Sequence, residues 1–393
     1  MLAAEASVET SVICFTDGQA AGSASPLTWA QAQELRLIVD LGKGRTVDQP
    51  AITTARYVTH GAPGTAPVTL TSPSSGTTLE SSTATVTGST TPGAQVVVEA
   101  DDTDTGAAAT TVSTKADATG AFSAAVAIGF GTNEITVAAT TAAGATGYAQ
   151  TAVVGDITGG TSVLDVADPS GDDNGPGSYQ YPTAADFVPG SFDLTRFQVI
   201  TQGGTVYLRT SLKTLTATFG STMGAQLLDI YVHNPSATAT STAAPYPSRN
   251  YSVAPADAWN ERLEVQGFAS PVWVDAANNQ VGTPTAVVAS TVSDTITIAL
   301  PESAFGTPGP GWTFTLALAG QDGYSPDLAR AFAATPQPYS FGVCPVGGTA
   351  LICSADPGSV AKVMDTITPP GVSQATELDS SAGPVVLQGV TVP

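Results

Sequence analysis

The chain has 393 residues and a formal net charge of −21, with 33 acidic residues against 12 basic ones. That balance excludes nucleic acid and anionic membrane surfaces as partners, because phosphate groups repel a strongly acidic protein. Only 11% of residues are charged and 42% are apolar, with 40 Gly and 28 Pro, a composition of turn-rich β structure rather than of disorder.

The length admits about two or three domains. No apolar run approaches the roughly 18 residues of a membrane span. Met1–Ser11 carries Glu5 and Glu9 without a basic start or an apolar core, so no secretory leader is visible there. The Lys-poor, Thr-rich chain beyond it nevertheless has an extracellular character. The expectation is a fragment whose true beginning lies upstream of Met1.

Residues 22–39, GSASPLTWAQAQELRLIV, predict a helix. Ser25 caps it, and Pro26 fits its first turn, where a missing N–H costs nothing. At about 100° per residue, Leu27, Ala30, Leu37, Ile38 and Leu41 share one face, and the stretch Gly42 to Gly44 ends the helix. Glu34 interrupts the apolar stripe. A lone helix of this kind cannot bury its own face, so neighbours are expected to be missing.

Residues 59–66 read as a linker by their Gly, Pro and Ala content. From residue 67 to 155 the chain breaks into short alternating strands. Phe122, Ala124, Val126 and Ile128 fall on one face, Ile135, Val137 and Ala139 on another, and the turn Pro92-Gly93-Ala94 leads into Val96–Val98. This is the rhythm of a small immunoglobulin-like sandwich. No aromatics cluster on it, so a spacer is expected rather than a sugar platform.

Residues 156–393 are again all-β but larger. Ile296, Ile298 and Leu300 alternate with polar or small residues, as do Trp312, Phe314, Leu316 and Leu318, and each run ends at Pro or Gly. Trp312 and Phe314 read as core. The stretch from Val163 to Leu194 stands apart, because a short apolar lead gives way to Asp165, Asp168, Asp172 and Asp173 among Pro169, Gly171 and Asn174. Pro fixes φ, while Gly and Asn tolerate positive φ, so this stretch folds back as a loop. Four carboxylates there repel one another unless a cation sits among them. Hard oxygens without a nearby Cys or His suit calcium, although the spacing is not that of an EF-hand. The other reading is a solvated acidic turn.

Aromatics on irregular segments are candidates for stacking on a pyranose ring: Trp259, Trp273, Tyr179 and Tyr181, with Tyr246, Tyr251 and Tyr324 beside them. Ordinary interior packing is the competing reading for each. Cys344 and Cys353 lie nine apart around a Gly-Gly turn, which suits a small disulfide in an oxidising compartment, or else buried thiols. Cys14 has no obvious partner. His60 and His233 fall in different predicted domains, which argues against a His-based metal site or a Ser-His-Asp triad. No phosphate-binding Gly loop occurs between a strand and a helix.

The pattern D-P-x-G-D-D-x-G-P-G-x-Y-x-Y-P-T, followed by F-x-P-G-x-F-D-L, resembles the C-terminal module of bacterial glucodextranases and of some amylopullulanases. The resemblance continues at Gln226–Tyr231 (QLLDIY), Arg330–Cys344 (RAFAATPQPYSFGVC), Lys362–Asp365 (KVMD) and Pro369–Leu378 (PPGVSQATEL). Upstream, the pattern G-x-x-S-P-L-x-W-A-x-A resembles the last helix of the (α/α)6 barrel of family fifteen glycoside hydrolases, although relatives place an aromatic where Glu34 stands. Residues 67–155 resemble the Ig-like domain that follows that barrel in glucodextranases.

The resemblance implies a mainly β chain: an Ig-like β-sandwich followed by a larger carbohydrate-binding-type β-sandwich, preceded by a short helical remnant of a barrel over residues 1–58. The parent enzyme would release glucose from α-glucans by inversion, which needs an acid and a base about 6.5–9.5 Å apart. Glu9 lies near the place of the family's base, but its context VETSV lacks the Gln and the aromatic, and the part of the chain that would carry the acid is absent. The chain itself is therefore expected to be a non-catalytic monomer, extracellular or on the cell surface, that binds α-glucan or cell-wall polysaccharide with calcium support. A docking or spacer tail without a sugar pocket is the alternative.

Overall fold

The computed structural model describes residues 28–44, 46, 64–104, 107–157 and 159–393. Glu9, Cys14, Ser25, Pro26, Leu27 and His60, most of the expected linker and most of the expected barrel remnant lie outside the described residues. Contact clustering divides the chain into two units, one spanning Met1–Thr65 with Ala143–Ala145, the other Ala66–Ala142 with Thr146–Pro393.

The first unit contributes helix α1 (Thr28–Lys43), with a lysine in its last turn. Gly44 closes it in the left-handed conformation at φ +64°. Glu34 is exposed, and so are Leu37, Ile38 and Leu41 of the apolar face.

The second unit begins with eight strands: β1 (Thr69–Ser72), β2 (Thr77–Leu79), β3 (Thr83–Ser89), β4 (Gln95–Asp102), β5 (Thr110–Lys115), β6 (Ala121–Ala127), β7 (Gly131–Thr140) and β8 (Thr146–Gly155). They form a three-stranded sheet in the order β1-β3-β6 and a five-stranded sheet in the order β2-β8-β7-β4-β5. Burial alternates strictly along β3, β4, β6 and β7, so each sheet buries one face. The buried side chains include Phe122, Val126, Ile135 and Val137, as the period-2 pattern requires.

Fourteen further strands follow: β9 (Thr161–Ala167), β10 (Leu194–Gln202), β11 (Thr205–Leu212), β12 (Gln226–His233), β13 (Tyr251–Val253), β14 (Glu261–Gln266), β15 (Val272–Asp275), β16 (Ala286–Ser290), β17 (Thr295–Pro301), β18 (Thr313–Gly320), β19 (Phe332–Ala333), β20 (Phe341–Gly342), β21 (Val385–Leu387) and β22 (Val390–Thr391). Two five-stranded antiparallel sheets carry the module, in the orders β16-β17-β11-β10-β9 and β15-β14-β12-β18-β22. Their inner faces share one core, in which Phe197, Val199, Leu208 and Ile298 from the first sheet meet Leu228, Ile230, Leu316 and Phe314 from the second. Phe130, next to strand β7, packs edge-on against Tyr207 of β11, with ring centroids 5.1 Å apart.

Strand β12 is buried on both faces, and so is β18. The reason is a third layer outside the second sheet. Tyr231 and Ala317 point outward and are covered by Tyr251, Val253, Trp259, Leu378, Val385 and Leu387, with β13 and β21 paired in parallel. The layer is fastened by a charge network. Arg249, fully buried, donates through Nη1 to Asp229, through Nη2 to Glu264 at 3.0 Å, and through Nε and Nη2 to the carbonyl of Asp327. Tyr251 donates to Asp229 at 2.9 Å, and Lys362 donates to Asp327 at 2.7 Å. Burying such charges is tolerable only because each has a partner of opposite sign or a hydrogen bond.

Candidate functional site

Strand β9 runs along the edge of the first sheet and hands the chain to a loop at Asp168, whose N–H donates to Thr195 O at 3.0 Å. Gly171 and Gly175 take positive φ, of 95° and 58°. A Cβ on Gly175 would sit 2.3 Å from the Tyr179 ring, so the ring requires glycine there. The loop is stitched to a distant segment. Gly175 N–H donates to Met364 O at 2.9 Å, while Gln374 Nε2 donates to Asp172 O at 2.6 Å and its Oε1 accepts from Thr366 N–H.

That stitching brings Asp365 against Asp168 and Asp172. One carboxylate oxygen from each of the three lies within 4.8 Å of the others. Asp365 is fully buried and accepts from Leu194 N–H at 2.7 Å and Thr366 N–H at 2.8 Å. Asp193, also fully buried, accepts from Gly171 N–H at 2.8 Å and Ser170 Oγ at 3.1 Å, with Lys213 Nζ 3.4 Å away. Yet Asp168 Oδ2, Asp172 Oδ1 and Asp193 Oδ1 are buried with no hydrogen-bond partner.

The electrostatics match that deficit. Burial, then the charges of Asp172 and Asp193, push the Asp168 carboxyl up to about 8. Burial raises Asp172 as well, with Asp193 and Asp173 adding to it against its own backbone N–H. Asp365 is held well above the usual carboxylate range, chiefly by burial and then by Asp168. Crowded carboxylates with orphaned oxygens form a donor set that fits a hard divalent cation. Calcium takes about six to eight oxygens at about 2.3–2.6 Å, and oxygens around one ion then lie within about 5 Å of each other. Asp168, Asp172 and Asp365 are the residues that would hold it.

Two of the four loop aspartates named from the sequence are engaged elsewhere. Asp165 still belongs to β9, is exposed, and pairs with Arg196 Nε at 2.6 Å across to β10, which lowers its pKa. Asp173 accepts the hydroxyl proton of Tyr181. Of the four expected aspartates, Asp168 and Asp172 come together, and the carboxylate that joins them is Asp365. The block KVMD that ends in Asp365 was legible as a motif, but nothing in its local sequence marks it as a partner of a loop nearly two hundred residues earlier.

Of the aromatic candidates, Trp259, Trp273 and Tyr179 are corrected because they face inward, whereas Tyr324 is exposed. Trp259 packs on Tyr231 in the outer layer and donates from Nε1 to Ala243 O at 3.0 Å. Trp273 lies in the central core and donates to Glu261 at 2.6 Å. Tyr179 is buried with its hydroxyl donating to Ala361 O at 3.1 Å, and Tyr181 is half-buried against Phe192 and Phe341. Neither Trp ring nor the Tyr179 ring offers a face to a sugar. Cys344 and Cys353 form a disulfide, with Cα atoms 5.4 Å apart.

Two facing five-stranded antiparallel sheets with an acidic cluster at one loop define a β-sandwich module, and no helix among the described residues is long and apolar enough to cross a membrane. Residues 163–387 match the profile of the C-terminal binding module of glucodextranase, described as SLH-like. The match covers more than half of the chain, and the chain belongs to that family.

No curated protein matches it. Among solved structures, an Escherichia coli alpha-2-macroglobulin activated by porcine elastase aligns at 12% identity with a TM-score of 0.23, over 68% of this chain and 21% of that one. A tetra-tandem repeat from the extending region of a large adhesion protein aligns at 13% and 0.23, over 66% and 46%. A Ca2+-stabilised, ice-binding adhesin of an Antarctic bacterium aligns at 16% and 0.17, over 66% and 45%. The chain thus spans between about a fifth and under half of these proteins. Likeness at this level carries no weight for fold or function.

Proposed function

We propose that this chain holds a glucodextranase-type enzyme on an α-glucan or cell-wall polysaccharide outside the cell, and that it does so without cleaving the glycan. Membership of the glucodextranase binding-module family, over residues 163–387, is the observation that carries this reading. The net negative charge and the module's mainly β core are consistent with a neutral partner and a rigid scaffold. A divalent cation, in our reading calcium, is bound by Asp168, Asp172 and Asp365. When bound, it would offset most of their charge and tie the β9 exit loop to the segment between β20 and β21. The chain's own residues do the rest: Gln374 and Asp193 orient the loop through backbone hydrogen bonds.

The test is affinity electrophoresis of the whole chain, with calcium, through gels containing dextran, amylose or purified bacterial cell-wall polysaccharide. Retarded migration in at least one gel is expected. Unchanged migration in all of them would favour a docking tail.

A further inference from the structure

With the Trp259, Trp273 and Tyr179 rings buried, four of the exposed aromatics gather in one place, Tyr148 on β8 lying apart from them. Phe219, Phe268, Tyr324 and Tyr339 surround a groove of about 450 Å³, with Gln321 and Arg330 at its base. Tyr324 is 82% exposed, Tyr339 53%, Phe268 45% and Phe219 42%. A groove of this size suits a small ligand or a short stretch of a chain.

The groove is built rather than incidental. Arg330 lies flat between rings, its Cζ 4.8 Å from the Phe187 centroid and 5.9 Å from that of Phe219, and its Nη1 donates to Tyr339 O at 2.8 Å. Phe219 and Gly220 are the two central residues of a tight hairpin, both at positive φ, closed by reciprocal bonds between Thr218 and Ser221. Asn and Gly are usual in such a turn, so a phenylalanine there is displayed against backbone preference. Tyr324 is fixed by the turn beneath it, where Asp322 Oδ1 accepts from the N–H groups of Tyr324 and Ser325 at 3.1 and 3.0 Å.

Two polar atoms in the groove's base lack partners. Gln321 is only 3% exposed and Arg330 only 6%, yet Gln321 Oε1 and Arg330 Nε make no hydrogen bond. Both atoms are shut off from solvent in the empty groove, so a small turn of either side chain towards the groove would let a ligand supply the missing donor to Gln321 and acceptor to Arg330. A sugar hydroxyl does both, and a pyranose ring lays its C–H face on an aromatic plane. Burial lowers the pKa of the Arg330 guanidinium, with Asp322 and Asp186 opposing the shift, and those two nearby carboxylates disfavour an anionic ligand in the groove.

We infer that this aromatic groove is the glycan-contact site of the module, taking a neutral pyranose chain whose rings lie on Tyr324, Tyr339 and Phe268 while Gln321 and Arg330 bond its hydroxyls. This rests on the carbohydrate-binding reading above. The test measures the dissociation constant for soluble dextran by affinity electrophoresis in calcium, for the whole chain and for Tyr324→Ala, Phe268→Ala and Tyr148→Ala. Tyr148, 71% exposed on β8, is the control. The two groove variants should bind five- to tenfold more weakly, with unaltered thermal melts because both side chains are largely outside the core, and the control should bind as before. Full-strength binding by both groove variants would overturn the groove while leaving the binding function intact. No binding by the unaltered chain to dextran, amylose or cell-wall polysaccharide would remove both. Binding only to an anionic polymer such as polygalacturonate would replace the neutral ligand and overturn this assignment.

Discussion

Stripping divalent ions from the protein and returning calcium at several pH values probes the Asp168–Asp172–Asp365 cluster most directly. Without a cation, the folded chain holds a proton on Asp168 up to about pH 8, whereas an unfolded aspartate releases it near 3.8. A folded-state pKa above the unfolded one means stability that is full below the unfolded value and lost as pH climbs through the folded value. At about 1.4 kcal/mol per pKa unit, Asp168 alone would lose about 6 kcal/mol in a dry interior. The loop is partly solvated, and screening reduces this to about 2–3 kcal/mol.

Calcium reverses the sign, because it binds the ionised carboxylates and is favoured as pH rises. At a hundredfold excess over its dissociation constant it adds about 2.7 kcal/mol. For a module of this size that is about 5–10 °C in Tm. Melts followed by far-UV circular dichroism should therefore give a calcium-dependent gap of that order at pH 8 that narrows towards pH 5. In Asp168→Asn with Asp172→Asn, the gap should close and the pH slope of the ion-free protein should flatten. A gap that is absent at every pH, or wider at pH 5 than at pH 8, would refute the assignment of a cation to this cluster.

Two further outcomes follow from burial. Arg249→Met should cost about 3–5 kcal/mol in urea unfolding, because it leaves Asp229 and Glu264 buried without their cation. Adding Asp229→Leu and Glu264→Leu should return much of the loss. Trp273→Ala should lower stability by about 3–5 kcal/mol while leaving the dextran dissociation constant unchanged at temperatures where the variant is folded, since the ring lies in the core.

The strands of both sandwiches were legible wherever one face is buried and the other wet. The alternation at Phe122, Val126, Ile135 and Val137 is the burial pattern of β6 and β7. Strand β12 was less transparent, because a layer on each side erases its period, and QLLDIYVH alone does not say that Asp229 is an internal partner of Arg249. The acidic loop was visible as a loop, and two of the three clustered carboxylates, Asp168 and Asp172, were named with it, but not Asp365. Asp165 and Asp168 look alike in sequence, and what separates them is whether strand pairing with Arg196 persists at that residue. The aromatic misassignment has a similar root. Trp is the residue that sugars favour and also the residue that fills wide interior space, and sequence alone does not tell which. Phe219, Phe268 and Tyr339 carried no signal of their own, because they meet only through the folding of three separate turns.

The tie between Gln374 and Asp172 joins residues 202 positions apart. At about 5–20 residues per second of synthesis, about 10–40 s pass between the two leaving the ribosome. During most of that interval Asp168 and Asp172 stand without Asp365, and the inner strands lack their outer cover. Closure of this loop onto the tail is therefore the late step in the assembly of the module, because it waits for the segment around Gln374 to be made.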